Sequence, residues 1–235
     1  MTMKVAIVTG ASSGIGMATA KLLSENGYSI VAHGRRKDRL AALQEAIPRC
    51  VSVAGDLNGE GECEALLATA LQCFGRIDCV INCAGKNHTG TIDEIDVGAL
   101  CEMVKVNVES AFRLSYLVLK HFRKQGTGHL VHVTSVMGYK VRETGGSYAG
   151  TKHAVEALCE ALRLELARSD IRVSCIAPGL VQTELHRDQA IHPSITRGIK
   201  PLAPEDVADT ILWMLQIPAH MNVPQMVLLP KDHAI

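Results

Sequence analysis

Seven short runs rich in valine and isoleucine recur along the chain: KVAIVT (4–9), SIVAH (29–33), CVSVA (50–54), DCVIN (78–82), HLVHVTS (129–135), RVSCIA (172–177) and QMVLL (225–229). Apolar residues that follow one another without polar alternation suit strands buried on both faces. Helical patterns separate the runs, over 14–25, 37–46, 60–73, 107–124, 148–168 and 204–215. A parallel neighbour is reached only through a crossover, usually a helix, and such crossovers are right-handed. The pattern therefore predicts an α/β fold, a parallel sheet with helices on both faces.

No Pro/Gly/Ser-rich linker, repeat or low-complexity tract breaks the alternation, so residues 1–235 read as a single domain. A chain of this length, 47% hydrophobic, can bury one sizeable core. The least patterned segment is LVQTELHRDQAIHPSITRGIKPLA (180–203), beyond the sixth strand. Ligands of open α/β sheets sit outside the carboxyl ends of the strands, which makes 180–203 a candidate substrate lid. An ordinary surface excursion is the alternative.

Lys plus Arg and Asp plus Glu both number 24, and the formal net charge is zero. No basic excess points to nucleic acid or an anionic membrane surface, so partners are expected among small molecules and other protein chains. The eight cysteines carry no CxxC pair and lie mostly in helix or strand patterns, as buried reduced thiols do. The first residues lead straight into a strand, and no run approaches the roughly 20 apolar residues of a membrane span. A cytoplasmic protein is expected. Ten histidines show no HExxH spacing, and His129 and His132 on one strand should face opposite ways, so no metal site is expected.

TGASSGIG (Thr9–Gly16) follows the first strand, with glycines at 10, 14 and 16. Such a turn lets a backbone approach a ligand closely, and the following helix offers N–H groups and positive dipole to a pyrophosphate. The spacing is GxxxGxG rather than GxGxxG, and a purely structural loop is the competing reading. The second strand leads into Gly34, Arg35 and Arg36. A carboxylate there would hold the ribose hydroxyl of NAD; an arginine suits the 2′-phosphate of NADP, and Arg35, helped by Arg36 and Ser13, is expected to meet it.

Tyr148 and Lys152 stand four apart and share one helical face. A phenol with a pKa of about 10 is a poor acid–base catalyst near neutrality, and an ammonium beside it lowers that value. Ser135, closing the fifth strand, can hydrogen-bond a substrate oxygen. YxxxK alone is common by chance.

With TGxxxGIG, NCAG (82–85), VKVNVES around Asn107, SYAGTK and APGLVQT (177–183), the chain resembles the short-chain dehydrogenase/reductase family over nearly its whole length. The resemblance implies a Rossmann-type, doubly wound sheet of seven strands and NAD(P)-dependent carbonyl/alcohol chemistry. It makes Tyr148 the general acid/base, Ser135 the donor that polarises the carbonyl, Lys152 the partner of the nicotinamide ribose, and Asn107 the holder of a relay water. Gly10, Ser13, Gly14, Ile15, Gly16 and Asn82 would line the cofactor, with Ala84, Gly85, Pro178 and Gly179 along the same cleft. Asp56 and Leu57 would meet the adenine, and Val181 and Thr183 the carboxamide. Two departures stand out: Cys83 replaces the second Asn of NNAG and is expected to be buried, and the ending VPQMVLLPKDHAI lacks a glycine-rich turn. That ending is similar to an NADP-preferring subgroup that includes 3-hydroxy acid dehydrogenases and clavulanate-type aldehyde reductases.

The reading is thus an NADP(H)-dependent oxidoreductase of a small carbonyl or secondary alcohol. Its rivals are a catalytically silent NADP-binding sensor and a partner subunit, although Ser135, Tyr148 and Lys152 are all present. A homodimer or homotetramer is expected, with the stripe Val155, Leu158, Leu162 and Leu166 either meeting a partner or covering its own sheet. Lys86, His88, Lys140 and Arg142 follow strand ends and would attract an anionic substrate, unless they are solvated loop charges or face the cofactor phosphates. His186 and His192, in the lid segment, are further candidates for substrate contact.

Overall fold

Each of the seven apolar runs forms a strand. The computed structural model describes residues 3–186 and 198–233. Along the chain these form β1 (Val5–Thr9), α1 (Gly14–Glu25), β2 (Ser29–Gly34), α2 (Lys37–Ala46), β3 (Cys50–Ala54), α3 (Glu62–Phe74) and β4 (Cys79–Asn82). There follow α4 (Val97–Val104), α5 (Ser110–Gln125), β5 (Thr127–Val133), α6 (Gly146–Glu165), β6 (Asp170–Pro178), α7 (Pro204–Gln216) and β7 (Gln225–Leu228). The strands make one parallel sheet in the order β3-β2-β1-β4-β5-β6-β7. The order reverses between β1 and β4, the point where such a sheet opens a crevice at its carboxyl edge.

Burial follows position in the sheet. Every residue of β1, β2 and β4 is buried, whereas the edge strands β3 and β7 are only partly so. Side chains alternate faces, so Val131 joins a core beneath α1, α2 and α7, while Leu130 joins the opposite core beneath α3, α5 and α6. The same alternation puts His129 and His132 on opposite faces, as their spacing predicts. Val155, Leu158, Leu162 and Leu166 belong to the core beneath α6. That stripe is therefore spent on the chain's own sheet.

Helix ends obey local chemistry. Left-handed glycines at 75 and 126 stop α3 and α5, and α7 starts at Pro204 with Asp206 accepting from the Ala203 N–H at 2.7 Å. The helix expected to start near 107 belongs to a longer assembly. It begins at α4, where the Asp96 carboxylate accepts from Ala99 N at 3.0 Å, and passes through a π-helical turn, Lys105–Glu109, into α5. α4 escapes a periodicity search because Met103 is its one buried residue.

Of the eight cysteines, all free, Cys73 and Cys101 are exposed. Cys83 is partly exposed rather than buried, because it stands on the turn after β4 instead of inside the sheet. The ends of segment 180–203 are tied together: Val181 bridges Leu202, with Gln182 N donating to Leu202 O at 2.8 Å. The expected lid between them falls mainly on 187–197, which, with His192, lies outside the described residues. No helix among the described residues is long and apolar enough to cross a membrane.

Candidate active site

The glycine turn is fixed by contact distances. Gly10 has φ +65°, and a Cβ there would lie 2.9 Å from the Cys83 carbonyl oxygen; a Cβ on Gly16 would lie 2.5 Å from the Gly10 carbonyl oxygen. Neither place admits a side chain. α1 starts immediately afterwards with no side-chain cap from Ser13 and no acidic residue in its first turn. The first N–H groups of α1, at Gly14, Ile15 and Gly16, thus have no acidic side chain of their own turn to neutralise the helix end.

A buried chain of hydrogen bonds ties this turn to the NCAG turn. Ala84 N donates to Thr9 Oγ1 at 3.1 Å, and Thr9 Oγ1 donates to Asn82 Oδ1 at 2.6 Å. Asn82 Nδ2 meets His132 Nδ1 at 3.1 Å, and His132 Nε2 meets Ser115 Oγ at 2.9 Å, with Ser115 donating onward to Ala111 O at 2.7 Å. An amide nitrogen can only donate, so His132 Nδ1 accepts and Nε2 carries the proton. Burial, then the charge on Lys152, push the His132 pKa down to about 3, which keeps this neutral tautomer. Asn82, expected to line the cofactor, has its side chain engaged by Thr9 and His132, where it shapes the turn.

The four candidate catalytic side chains converge at the next strand end. Ser135 stands two residues beyond β5 and caps the short 3-10 turn Val136–Gly138, with its Oγ accepting from Met137 N at 3.1 Å and hydrogen-bonded to the Tyr148 hydroxyl. Tyr148 and Lys152, on the first turns of α6, are 7% and 8% exposed. The Lys152 Nζ donates to Val133 O at 3.2 Å and lies 5.7 Å from the centre of the Tyr148 ring. Asn107 sits in the π turn, a place where helical registry slips and backbone and side chain are re-aimed. Its amide donates to Lys86 O at 2.8 Å and to Thr151 Oγ1 at 3.1 Å, and its Oδ1 accepts from Lys86 N at 2.8 Å. Gly85 closes the group: a Cβ there would be 3.4 Å from Asn107 Oδ1 and 3.7 Å from Lys152 Nζ.

Electrostatics here are dominated by burial. Desolvation pushes Tyr148 up to about 12, opposed by the Ser135 hydrogen bond, and pushes Lys152 down to about 8, opposed by Cys83, Glu156 and Cys175 around it. The expected lowering of the phenol by the ammonium is not seen: burial dominates, and the opposing pull comes from Ser135. Lys152 lies against the ring and Val133 O, and the loss of water costs the phenolate more than its surroundings return. Glu156, one turn beyond Lys152, is a buried carboxyl that accepts from Thr134 Oγ1 and from Gln225 Nε2 at 3.2 Å.

At the β2 end the basic pair divides. Arg35 is exposed and makes no hydrogen bond or ion pair among the described residues. Arg36 turns back over the glycine turn, donating from Nε to Ser12 Oγ at 3.2 Å and from a terminal nitrogen to Ser13 Oγ. Its other terminal nitrogen pairs with Glu184, which Arg39 also holds at 2.8 and 3.0 Å. Asp56 is exposed beside buried Leu57, with its Oδ1 accepting from Asn58 N at 3.0 Å. Behind them His33 is 2% exposed, and neither ring nitrogen has a partner. Across the crevice, Gly179 N donates to Leu228 O at 2.8 Å and Val181 is buried. A Cβ on Gly14 would meet Thr183 Cγ2 at 3.1 Å.

The family model for short chain dehydrogenases matches residues 4–193. The chain belongs to this family of oxidoreductases. An uncharacterized oxidoreductase of Staphylococcus aureus (strain N315) is 36% identical over 232 residues, 98% of either chain. Among solved structures, the closed form of a serine dehydrogenase complexed with NADP+ superposes with a TM-score of 0.92 at 26% identity, covering 98% of this chain and 96% of that one. The 3-ketoacyl-(acyl-carrier-protein) reductase of Brucella melitensis, complexed with NADH, gives 0.89 at 26% identity and 98% of both chains.

As a short chain dehydrogenase the chain has its glycine turn, NCAG turn, Ser135, Tyr148, Lys152 and Asn107 gathered at one sheet edge. The cations proposed for an anionic substrate are more scattered. Lys86 and His88 stand on the loop over Asn107, with Ser147 Oγ donating to His88 O at 3.0 Å, whereas Lys140 is exposed and Arg142 partly so. Among the described residues no three metal-ligating side chains gather. Sequence reasoning missed the Thr9–Asn82–His132–Ser115 chain, Glu156, and the Arg39–Glu184 contact. The Asp96 cap preceding VGALCEMV was an available signal for α4.

Proposed function

We propose that the chain is an NADP(H)-dependent oxidoreductase interconverting a small carbonyl compound and its alcohol, with Tyr148 as general acid/base. The observation that carries this reading is the buried meeting of the Ser135 and Tyr148 hydroxyls beside Lys152. The residues present fit a dinucleotide: an uncapped helix start, a turn that admits no side chain, and two guanidiniums at the β2 end. Gly10, Ser13, Gly14, Ile15 and Gly16 would hold the pyrophosphate side, Arg36 the 2′-phosphate, and Val181 and Thr183 the nicotinamide side. When bound, the nicotinamide supplies or accepts the hydride.

The chain's own groups then handle the oxygen. Ser135 Oγ accepts from Met137 N, and the proton it gives to the Tyr148 oxygen can turn to a substrate carbonyl. Tyr148, like any phenol, is protonated at neutral pH, and burial holds the proton more firmly; it can deliver that proton as negative charge develops on the oxygen. Lys152 faces the phenol and favours its anion after transfer; Asn107 fixes the Lys86 loop next to it. In reduction Tyr148 gives up this proton, and in oxidation of an alcohol it must be deprotonated first. The test is oxidation of NADPH and of NADH by the isolated chain over a panel of aldehydes, ketones and keto acids. Turnover with NADPH supports the reading; a chain that binds NADPH but turns over none of the panel would favour a silent binding protein.

A further inference from the structure

The most concentrated set of charged groups outside the catalytic cluster is at the β2 edge. Arg36 and Arg39, on α2 and the residue before it, direct their guanidiniums to a single carboxylate, Glu184, which lies 148 residues further along for Arg36. Arg36 simultaneously donates to both Ser12 and Ser13 of the glycine turn. Two guanidinium forks on one anion, the nearer of them braced by two hydroxyls that accept from it, are a donor set that suits a phosphate monoester. Glu184 immediately follows Thr183, whose methyl approaches Gly14, so the carboxylate reaches the β2 edge from the opposite wall of the crevice.

We propose that Glu184 is an internal occupant of the 2′-phosphate position, that NADP(H) binds by displacing its carboxylate from Arg36 and Arg39, and that Arg39 is consequently a second determinant of cofactor selectivity. The proposal rests on the NADP reading above and goes beyond it by assigning roles to Glu184 and Arg39. The two arginines hold the Glu184 pKa down to about 2, so the occupant is fully charged at neutral pH. The carboxylate is 28% exposed and its partners 39% and 40%, which leaves water able to replace the carboxylate as it departs. A phosphate dianion brings more charge and a third oxygen to the same donors and wins the exchange. The ribose hydroxyl of NAD(H) brings neither, so Glu184 stays in place. Selectivity is then the phosphate's gain less the carboxylate's loss, and the protein has lowered its own affinity for NADP(H) to keep the arginines paired when no cofactor is bound.

The experiment is isothermal titration calorimetry with two probes that lack nicotinamide, ADP-ribose and 2′-phospho-ADP-ribose, against wild type, Glu184→Gln, Arg39→Ala and Arg36→Ala. A thermal melt of each variant checks folding. Glu184→Gln keeps the shape and removes the charge, so 2′-phospho-ADP-ribose should bind about three- to tenfold tighter, with ADP-ribose changed less than twofold. Arg39→Ala should weaken the phosphorylated probe about tenfold and leave ADP-ribose unaltered. Unchanged or weaker binding of the phosphorylated probe to Glu184→Gln overturns the occupant. An unchanged ratio in Arg39→Ala removes that residue from the site. If wild type and Arg36→Ala both bind the two probes equally, the NADP reading itself fails, an outcome distinct from the other two.

Discussion

At the carboxyl end of β5 the reacting groups are sealed in protein, Tyr148 and Lys152 being 7% and 8% exposed, whereas at the end of β2 the side chains of Arg36 and Arg39 remain 39% and 40% exposed. Both clusters hold charge at the rim of one crevice, yet they do so by different physics. In the first, removal of water sets the protonation states, raising the phenol and lowering the ammonium. In the second, water screens each contact and the ion pairs are exchangeable. The difference suits the two tasks: proton transfer needs a group whose pKa is fixed before substrate arrives, and cofactor exchange needs an anion site that can be vacated.

Replacing members of each cluster should separate the two. Apart from loss of the Tyr148 hydroxyl itself, the largest loss is expected from Lys152→Met, which removes the buried cation beside Tyr148. Turnover should fall on the order of 10²–10³-fold, as expected when a proton donor is no longer supported, with calorimetry showing a folded protein that still binds ADP-ribose. Retention of wild-type turnover would mean that Lys152 is an idle core residue. At the exposed cluster, Arg36→Ala should cost about ten- to a hundredfold in NADPH affinity and little in NADH affinity. Equal losses for both cofactors would show that Arg36 holds the glycine turn and not a phosphate.

A third substitution probes the wiring between the clusters. His132→Leu leaves Asn82 Nδ2 and Ser115 Oγ without their buried partner, which should destabilise the fold by about 1–3 kcal/mol in urea unfolding. A loss below about 0.5 kcal/mol would show that the chain is not needed to hold the two turns. The smallest effect is in pH dependence. Lys152 is held at about 8 in the cofactor-free fold against 10.5 in the open chain, so between these values the unfolded state binds more protons. Stability therefore rises with pH from about 8 to about 10.5, by less than about 1.4 kcal/mol per unit. Lys152→Met should lack that rise. Parallel pH profiles would place the lysine in water.

The sealed cluster is legible in the sequence and the exposed one only in part, through Arg36 and Ser13 but without Arg39 and Glu184, for reasons visible in particular residues. Strand runs such as KVAIVT must be buried to be so apolar, and Ser135, Tyr148 and Lys152 are positioned by elements whose patterns are strong. Helix 204–215 and strand 225–229 were read to within a residue or so for the same reason. α4 was invisible because it buries only Met103 and leaves no stripe. The direction of the Tyr148 shift was misjudged because spacing shows which groups are neighbours and says nothing of the water they lose. Glu184 was missed because its partners lie 145 and 148 residues away in sequence, and no local pattern announces a contact across a crevice. The preference for Arg35 over Arg36 came from position after the strand; the backbone aims the second arginine, and not the first, at Ser12 and Ser13.

The central claim is that Tyr148 supplies the proton, and one comparison reaches it directly. Tyr148→Phe removes the hydroxyl and almost no volume, so NADPH should bind to it as it does to wild type in calorimetry. With NADPH saturating and an active carbonyl substrate from the panel, single-turnover oxidation followed by absorbance should slow by about 10²–10⁴-fold. Near-normal single-turnover rates with unaltered NADPH binding would contradict the account and require a different proton donor.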